Sequence, residues 1–455
     1  MSIPSSVLGG SSGVGRPGSD KSLKMGLLET LRQAWADEDI RKRLLFVLLM
    51  FGIYCLGVHI PIPIPGIDSA SIAKLLEGNQ FFNLVNTMGG GAFKRISIFA
   101  LGLSPYITAS IVIQVMTQGI PSWKMEMQEG GEYARKQQNK RTRGLTLLLC
   151  VVQGWGLLSA MGSATASVGM LERVGICIFW TAGTMFLLWM GEQMSERGIG
   201  NGTSLLIFAG IAISIPSIVQ IVSTAMANGT IQWWQVIILI LFFLATTWFI
   251  VFFSMAQRRI PIQHMRRNFG TKSMGGQTSY LPISVNMAGV IPVIFAISLV
   301  YMPAQFSAMF PQNSAPHQFL QGISNFFSPD FSRWQGWIGV IIYTCLIFGF
   351  TYLWNALIYN VEDIANNLKK GGSYIPGVRP GKQTIDFLNG IISRVTFVGA
   401  VFLAIVALTQ YVFPVIAAVN GLTLIGGTSL LILVSVALET MRQIEANLLT
   451  KQYGS

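Results

Sequence analysis

Ten separate apolar runs punctuate this chain, each close to the roughly 20 residues that a helix needs to cross a bilayer. They are read as 44–60, 96–116, 145–161, 174–194, 204–222, 233–255, 287–301, 338–358, 395–413 and 424–440. A water-soluble chain ordinarily carries about 25% charged residues. Here the figure is 11%, against 51% hydrophobic. So few charges cannot cover a surface that faces water. The expected fold is an all-α, polytopic membrane protein with ten transmembrane helices. An even number of spans puts the two termini on the same side.

Lysine and arginine give the orientation. With the N-terminus inside, segments 1–43, 117–144, 195–203, 256–286, 359–394 and 441–455 are cytoplasmic and hold 26 of the 31 Lys and Arg residues. Such a bias follows the positive-inside rule. The net charge of +12 is therefore distributed by membrane side and needs no nucleic-acid partner to explain it. Residues 1–24 are Ser/Gly-rich, lack the apolar core of a cleavable signal peptide, and are expected to be disordered. Residues 27–42 mix apolar and charged side chains in a way that suits a helix on the membrane surface. Cys55, Cys150, Cys177 and Cys345 each sit inside an apolar run without CxxC spacing. They read as small buried hydrophobes, with no disulfide framework and no metal site.

Two regions depart from the simple pattern. Residues 81–95 (FFNLVNTMGGGAFKR) precede the second run on the outside, are too short to cross, and contain Gly89, Gly90 and Gly91 in succession. Irregular backbone at membrane depth is tolerated only when buried in protein or lining a water-filled cavity. The residues alone leave both an external loop and such a buried segment open. The basic loops 256–286 and 359–394 contain RRIPIQHMRRNFG and NLKKGGSYIPGVRPGKQ. Their Gly, Pro and aromatic residues predict structured hairpins, and their charges also serve as topology determinants.

Missing chemistry narrows the function further. The three histidines, His59, His264 and His317, are far apart and form no HExxH. Gly381-Lys382 is followed by Gln383, and Pro376 stands where a phosphate-binding loop needs Gly. Glu192, Glu196 and Glu439 fall near cytoplasmic ends of runs, and no charged group falls mid-membrane. Ion-coupled transporters and proton relays need ionisable or coordinating groups near the midplane. An enzyme and a coupled pump are both disfavoured, and no cofactor is expected.

Several stretches resemble the SecY family of protein-conducting channels. FNLVNTMGGGAFKRISIFALGLSPYITASIVIQ (82–114) is similar to that family's plug and second helix. GEQMSERGIGNGTSLLIFAGI (191–211), LPISVNMAGVIPVIFA (281–296), NLKKGGSYIPGVRPGKQT (367–384) and GGTSLLILV (426–434) resemble its later helices and large cytoplasmic loop. The resemblance runs in order over about 30–455. It implies two five-helix halves around a central pore with a plug segment: a tail with an amphipathic helix (1–43), an N-terminal half (44–222), a C-terminal half (223–440) and a C-terminal tail (441–455). A secondary transporter for a small solute is the alternative from another class, and the absent midplane charge argues against it.

The resemblance also implies roles for particular residues. The pore ring falls on Ile107, Ile111, Thr203, Ile207, Ile294 and Ile432, with Thr203 replacing an aliphatic residue more usual in the family. The plug spans 81–95 and includes Asn83, Gly89, Gly90, Gly91, Lys94 and Arg95. The second and seventh helices form a lateral gate, where Gln114 and Asn286 are the candidate polar residues. Arg258, Arg259, Arg266, Arg267 and Arg379 would dock a motor or a ribosome. Implied partners are the small membrane subunits SecE and SecG, the SecA motor, the ribosome, signal sequences and nascent chains, membrane lipid, and further out SecDF and YidC. The implied location is the bacterial plasma membrane, with both termini cytoplasmic.

Overall fold

The computed structural model describes residues 27–62, 86–87, 89–160, 169–229, 231–264, 268–269, 272–273, 278–307, 310, 314–329, 331, 334–417 and 426–454. A short helix α1 (Leu27–Ala36) leads into α2 (Glu38–His59). Asp37 caps α2, its carboxylate accepting the N–H groups of Asp39 and Ile40 at 3.0 and 3.1 Å, which satisfies donors that the first turn leaves open. Then follow α3 (Ser104–Gly119), α4 (Pro121–Glu129), α5 (Gly131–Ala160), α6 (Met170–Arg197), α7 (Gly202–Ala227) and α8 (Trp233–Met255). The remaining helices are α9 (Ile291–Ser307), α10 (Ala315–Phe327), α11 (Trp334–Ile358), α12 (Val361–Lys370), α13 (Lys382–Ala417) and α14 (Gly427–Gly454).

Among the described residues, six helical stretches are long and apolar enough to cross a membrane: Glu38–His59, Met170–Arg197, Gly202–Ala227, Trp233–Met255, Gly336–Lys370 and Lys382–Val412. Ile291–Ser307 is apolar but shorter. The other three apolar runs also lie on helices. α5 and α14 each join an apolar half to a charged half, which extends them beyond the run read from the sequence.

The second run needs a correction. It is apolar from residue 96, yet the helix starts only at Ser104, with Pro105 in its first turn. Residues 89–103 form consecutive turns, with Gly102 at φ 56° and Ile96 at φ 50°. An isolated bridge pairs Pro61 with Ser97, and the Ile62 N–H donates to the Ile96 carbonyl at 3.0 Å. Phe99, Ala100, Leu101 and Leu103 are buried there. Apolar character marks a segment that avoids water, whether it is helical or a turn enclosed by protein.

Within residues 44–222, α6 packs against α2, α5 and α7, and α3 against α5. Within residues 223–440, α13 packs against α8, α11 and α14, and α9 against α10 and α11. The two sets meet in two places, α14 against α7 and α9 against α3 and α5. At α6 and α7 the backbones approach closely: a methyl at Gly202 would strike the Gly191 carbonyl, as small-residue contacts allow between membrane helices.

Of the two basic loops expected to form hairpins, 256–286 does so. Loop 359–394 instead folds as α12, a two-residue strand and the start of α13, and only adds its strand to the sheet of the first. β1 (Gln257–His264) pairs antiparallel with β4 (Thr278–Ser284) and, on its other edge, with β5 (Ser373–Tyr374). A second hairpin joins β2 (Asn268–Phe269) to β3 (Lys272–Ser273). The β1–β5 pairing brings the two basic loops together, with the Tyr374 hydroxyl donating to Gln263 at 3.0 Å. Ile260, Ile283, Ile375, Leu388 and Ile392 form the apolar floor beneath the sheet.

Candidate functional site

Four of the six expected ring residues lie in or against one apolar cluster. Ile207 on α7 and Ile432 on α14 are buried, and Ile107 on α3 and Ile294 on α9 pack partly buried against the same apolar cluster. These four helices come from both halves of the chain. Ile111, one turn along α3, is half-buried and lies outside that cluster. Thr203 is elsewhere too. Its hydroxyl donates to Asn201 at 2.7 Å, and its side chain lines a polar recess of about 330 Å³ with Tyr106, Arg143 and Glu192. Arg143 forks onto Glu192 there, its Nε donating at 2.9 Å, a paired geometry that both charges favour.

The described part of segment 81–95, the expected plug, reaches the same cluster through Ala92; Phe99 and Leu103, in the turns that follow it, belong to the cluster too. Gly89 and Gly90 are buried and Gly91 is half-buried, whereas Lys94 and Arg95 are exposed. Gly90, at φ 71°, comes up against the backbone of Gly210 on α7, where a side chain would be 3.4 Å from the Gly210 carbonyl. A glycine suits that left-handed, crowded position. The Ser214 hydroxyl of α7 donates to the Thr87 carbonyl at 3.0 Å. Arg95 donates to His59 Nε2 at the end of α2, at 2.6 Å; the His59 Nδ1 donates to the Cys55 carbonyl at 2.8 Å, which leaves Nε2 to accept. Asn83 lies outside the described residues.

At the expected gate, Gln114 bonds within its own helix, Nε2 to the Ser110 hydroxyl at 3.0 Å. Its Oε1 is buried without a partner. Asn286 lies in the turn before α9, five residues short of the helix rather than at its start, and its Oδ1 is also buried without a partner. The bond that does cross from α5 to α9 is one the sequence reading missed: Gln153 Nε2 donates to Gln305 Oε1 at 2.9 Å. A glutamine in the apolar run 145–161 was the available signal, since a polar amide at membrane depth seeks a partner.

Arg258 and Arg259 are exposed on β1, and Arg379 is exposed in the turn leading to α13. Neighbouring strand residues point to opposite faces, so the first two project on either side of the sheet. The Arg379 carbonyl accepts from the Thr384 hydroxyl at 3.0 Å, fixing that turn. Among the described residues none of these three arginines forms an ion pair. Arg266 and Arg267 lie outside the described residues.

Known proteins share this fold. The SecY family model matches residues 97–441. Protein translocase subunit SecY of Streptomyces galbus is 38% identical over 445 residues, covering 94% of this chain and 99% of that protein. The subunit of the same name from Staphylococcus carnosus is 36% identical over 436 residues, covering 94% and 99%. Among solved structures, a protein-conducting channel superposes with a TM-score of 0.69 at 18% identity, over 91% of this chain and 94% of that one. Sec61 in the canine ribosome–channel complex from the endoplasmic reticulum superposes at 0.65 and 17% identity, over 91% and 94%.

Proposed function

Because the chain belongs to the SecY family, we propose that it is the central subunit of a bacterial protein-conducting channel, passing unfolded preproteins across the membrane and releasing transmembrane segments sideways into lipid. One observation carries this reading: isoleucines from α3, α7, α9 and α14 share an apolar cluster with the turn-rich segment before α3. A constriction of branched aliphatic side chains excludes ions by dewetting and offers them no hydrogen-bonding partner. It also fits loosely around a passing chain of any sequence. Ile107, Ile207, Ile294 and Ile432 form this constriction, with Ile111 and Thr203 at its margin. The segment containing Asn83, Gly89, Gly90, Gly91, Lys94 and Arg95 is the plug beneath it.

Residues 44–222 and 223–440 act as two halves that part between α3 and α9, the lateral gate, where Gln114 and Asn286 lie. Arg258, Arg259, Arg266, Arg267 and Arg379 present a basic platform on the cytoplasmic side. Arginine offers bidentate bonds to carboxylate and to phosphate alike, which suits both an acidic motor surface such as that of SecA and ribosomal RNA. SecE and SecG complete the complex in the bacterial plasma membrane, and both termini are cytoplasmic, as the Lys/Arg distribution supports.

Reconstitution tests this reading. The chain with its two small partner subunits is placed in vesicles and supplied with a preprotein, the motor and ATP. The preprotein should become protected from added protease. Uptake of a small solute by the chain alone, with no preprotein protected, would contradict the proposal.

A further inference from the structure

The helix between α9 and α11 has its polarity turned the wrong way for water. α10 (APHQFLQGISNFF) carries no charged residue. His317, Gln321 and Ser324 turn inward. His317 Nδ1 donates to the Ser307 carbonyl at the end of α9, at 2.8 Å, and the Ser307 hydroxyl donates to Gln321 at 3.1 Å. Ser324 is buried. The outward face holds Phe319, 70% exposed, and Phe326, 46% exposed. These two are seven residues apart and therefore share one face, two turns apart. Gly322 lies exposed between them, with Gln318 and Asn325 at the edges.

The surroundings continue that face. Phe306 and Leu299 are exposed on α9, Phe310 follows it, and Trp334 and Trp337 are exposed at the start of α11. At the start of α8, another external end in the topology above, Trp233 and Trp234 are exposed as well. Tryptophan collects where a bilayer meets water, with its ring at headgroup depth, and phenylalanine is common on the lipid-facing side of helices that lie there. A helix with an uncharged polar inner side and an aromatic outer side, flanked by tryptophans, has the features of one lying flat in that interface.

We propose that α10 lies in the external membrane–water interface with Phe319 and Phe326 among the lipid chains, and so anchors the outer end of α9 at a fixed depth. The proposal rests on the external placement of this loop. The anchoring follows from the bonds of His317 and Gln321 to Ser307, which couple α10 to the helix that forms one side of the gate.

Spin labels read this directly in the reconstituted complex. Phe319→Cys, Phe326→Cys, Leu244→Cys on the exposed face of α8 and Arg379→Cys are labelled singly in a background lacking the four native cysteines. Collisions with oxygen, relative to a water-soluble nickel chelate, should be several-fold higher at 319 and 326 than at 379, and should approach those at 244. A ratio at 319 equal to that at 379 would overturn the proposal, as would exclusion of both agents, which would mean that a protein covers the face. Introducing Phe319→Asp with Phe326→Asp should lower the oxygen ratio of a label at Phe306→Cys; an unchanged ratio would overturn the anchoring. Gln318→Cys reacting with an impermeant maleimide only from the cytoplasmic side would instead contradict the topology. Should the cysteine-free background fail to assemble, the native-cysteine complex is photolabelled with a diazirine phospholipid. Adducts on α10 are expected, and adducts at Trp334 without any on α10 would overturn the proposal.

Discussion

Where α14 lies against α7, several bonds fasten the two halves, although the Thr30 and Gln33 side-chain oxygens on α1 and the Ser435 hydroxyl on α14 are buried without partners among the described residues. The Gly200 N–H donates to Gln443 of α14 at 2.8 Å. Lys451 donates to Asp37 at 2.9 Å and to Asp39 at 2.7 Å, tying the end of α14 to the start of α2. Ala34, Ile40, Ile199, Ile444 and Leu448 fill the space between. Where α9 meets α3 and α5, Gln153 bonds to Gln305, and the amide oxygens of Gln114 on α3 and Asn286 before α9 are buried without partners among the described residues. A buried unpaired oxygen costs about 1–3 kcal/mol, a cost that both seams carry, so what distinguishes them is the set of bonds that cross each one. In lipid, apolar packing between helices has no hydrophobic drive behind it. Directional bonds therefore favour opening at the proposed gate, between α9 and α3, over opening at the seam of α14 and α7.

The sharpest way to break this comparison is to lock each seam in turn. In a cysteine-free background, Gln153→Cys with Gln305→Cys, joined by a short bismaleimide, should abolish preprotein export. Asp37→Cys with Lys451→Cys, joined in the same way, should leave export near the parent level. Export through a fully cross-linked 153–305 pair would show that the gate lies elsewhere.

A smaller effect is expected from removing the crossing bond alone. Replacing both partners, Gln153→Leu with Gln305→Leu, takes away one interhelical bond without orphaning a group. Such bonds in membranes are worth about 0.6–2 kcal/mol, so opening should become roughly three- to thirty-fold easier. Export of a preprotein with a weakened signal sequence should rise accordingly. An unchanged signal requirement would relegate the pair to packing.

The smallest effect belongs to the tie at the other seam. Hydrogen bonds from Lys451 hold the Asp37 and Asp39 carboxyls below their ordinary value of 3.8. A carboxylate depressed in the folded state contributes stability above its ordinary value and loses it as pH falls through the lowered one. The complex should therefore show a slight loss of thermal stability below pH 3.8 that Lys451→Met abolishes. The pair is exposed, so salt should weaken it as well. Equal acid sensitivity in parent and variant would mean that the tie contributes nothing.

Much of this was legible in the sequence, though unevenly. Residues 233–255 were readable as a span because twenty-three apolar or polar-uncharged residues leave no alternative in water, and α8 has those bounds. The turns at 96–103 were not, because hydropathy scores burial and cannot tell a helix from enclosed turns, and the positive φ of Ile96 is one that a β-branched residue rarely adopts. The ring positions came from motif resemblance, and Ile107, Ile207, Ile294 and Ile432 fall in or against one apolar cluster. Thr203 departs because its hydroxyl is taken by Asn201, the residue that caps α7. The Gln153–Gln305 bond joins positions 152 residues apart, beyond the reach of any local periodicity. The same holds for β1 with β5, a two-residue pairing too short to leave a pattern.

The central claim is that aliphatic side chains from four helices seal the resting pore. An isoleucine kept from water contributes about 1.5–3 kcal/mol, so one polar replacement is enough to shift a plug equilibrium by tenfold or more. Single-channel conductance of the resting complex, reconstituted with Ile294→Asn or Ile432→Asn, tests this most directly. The account predicts a resting ion leak absent from the parent, in protein that remains folded and abundant. Conductance indistinguishable from the parent in both variants would make these residues ordinary packing and contradict the ring.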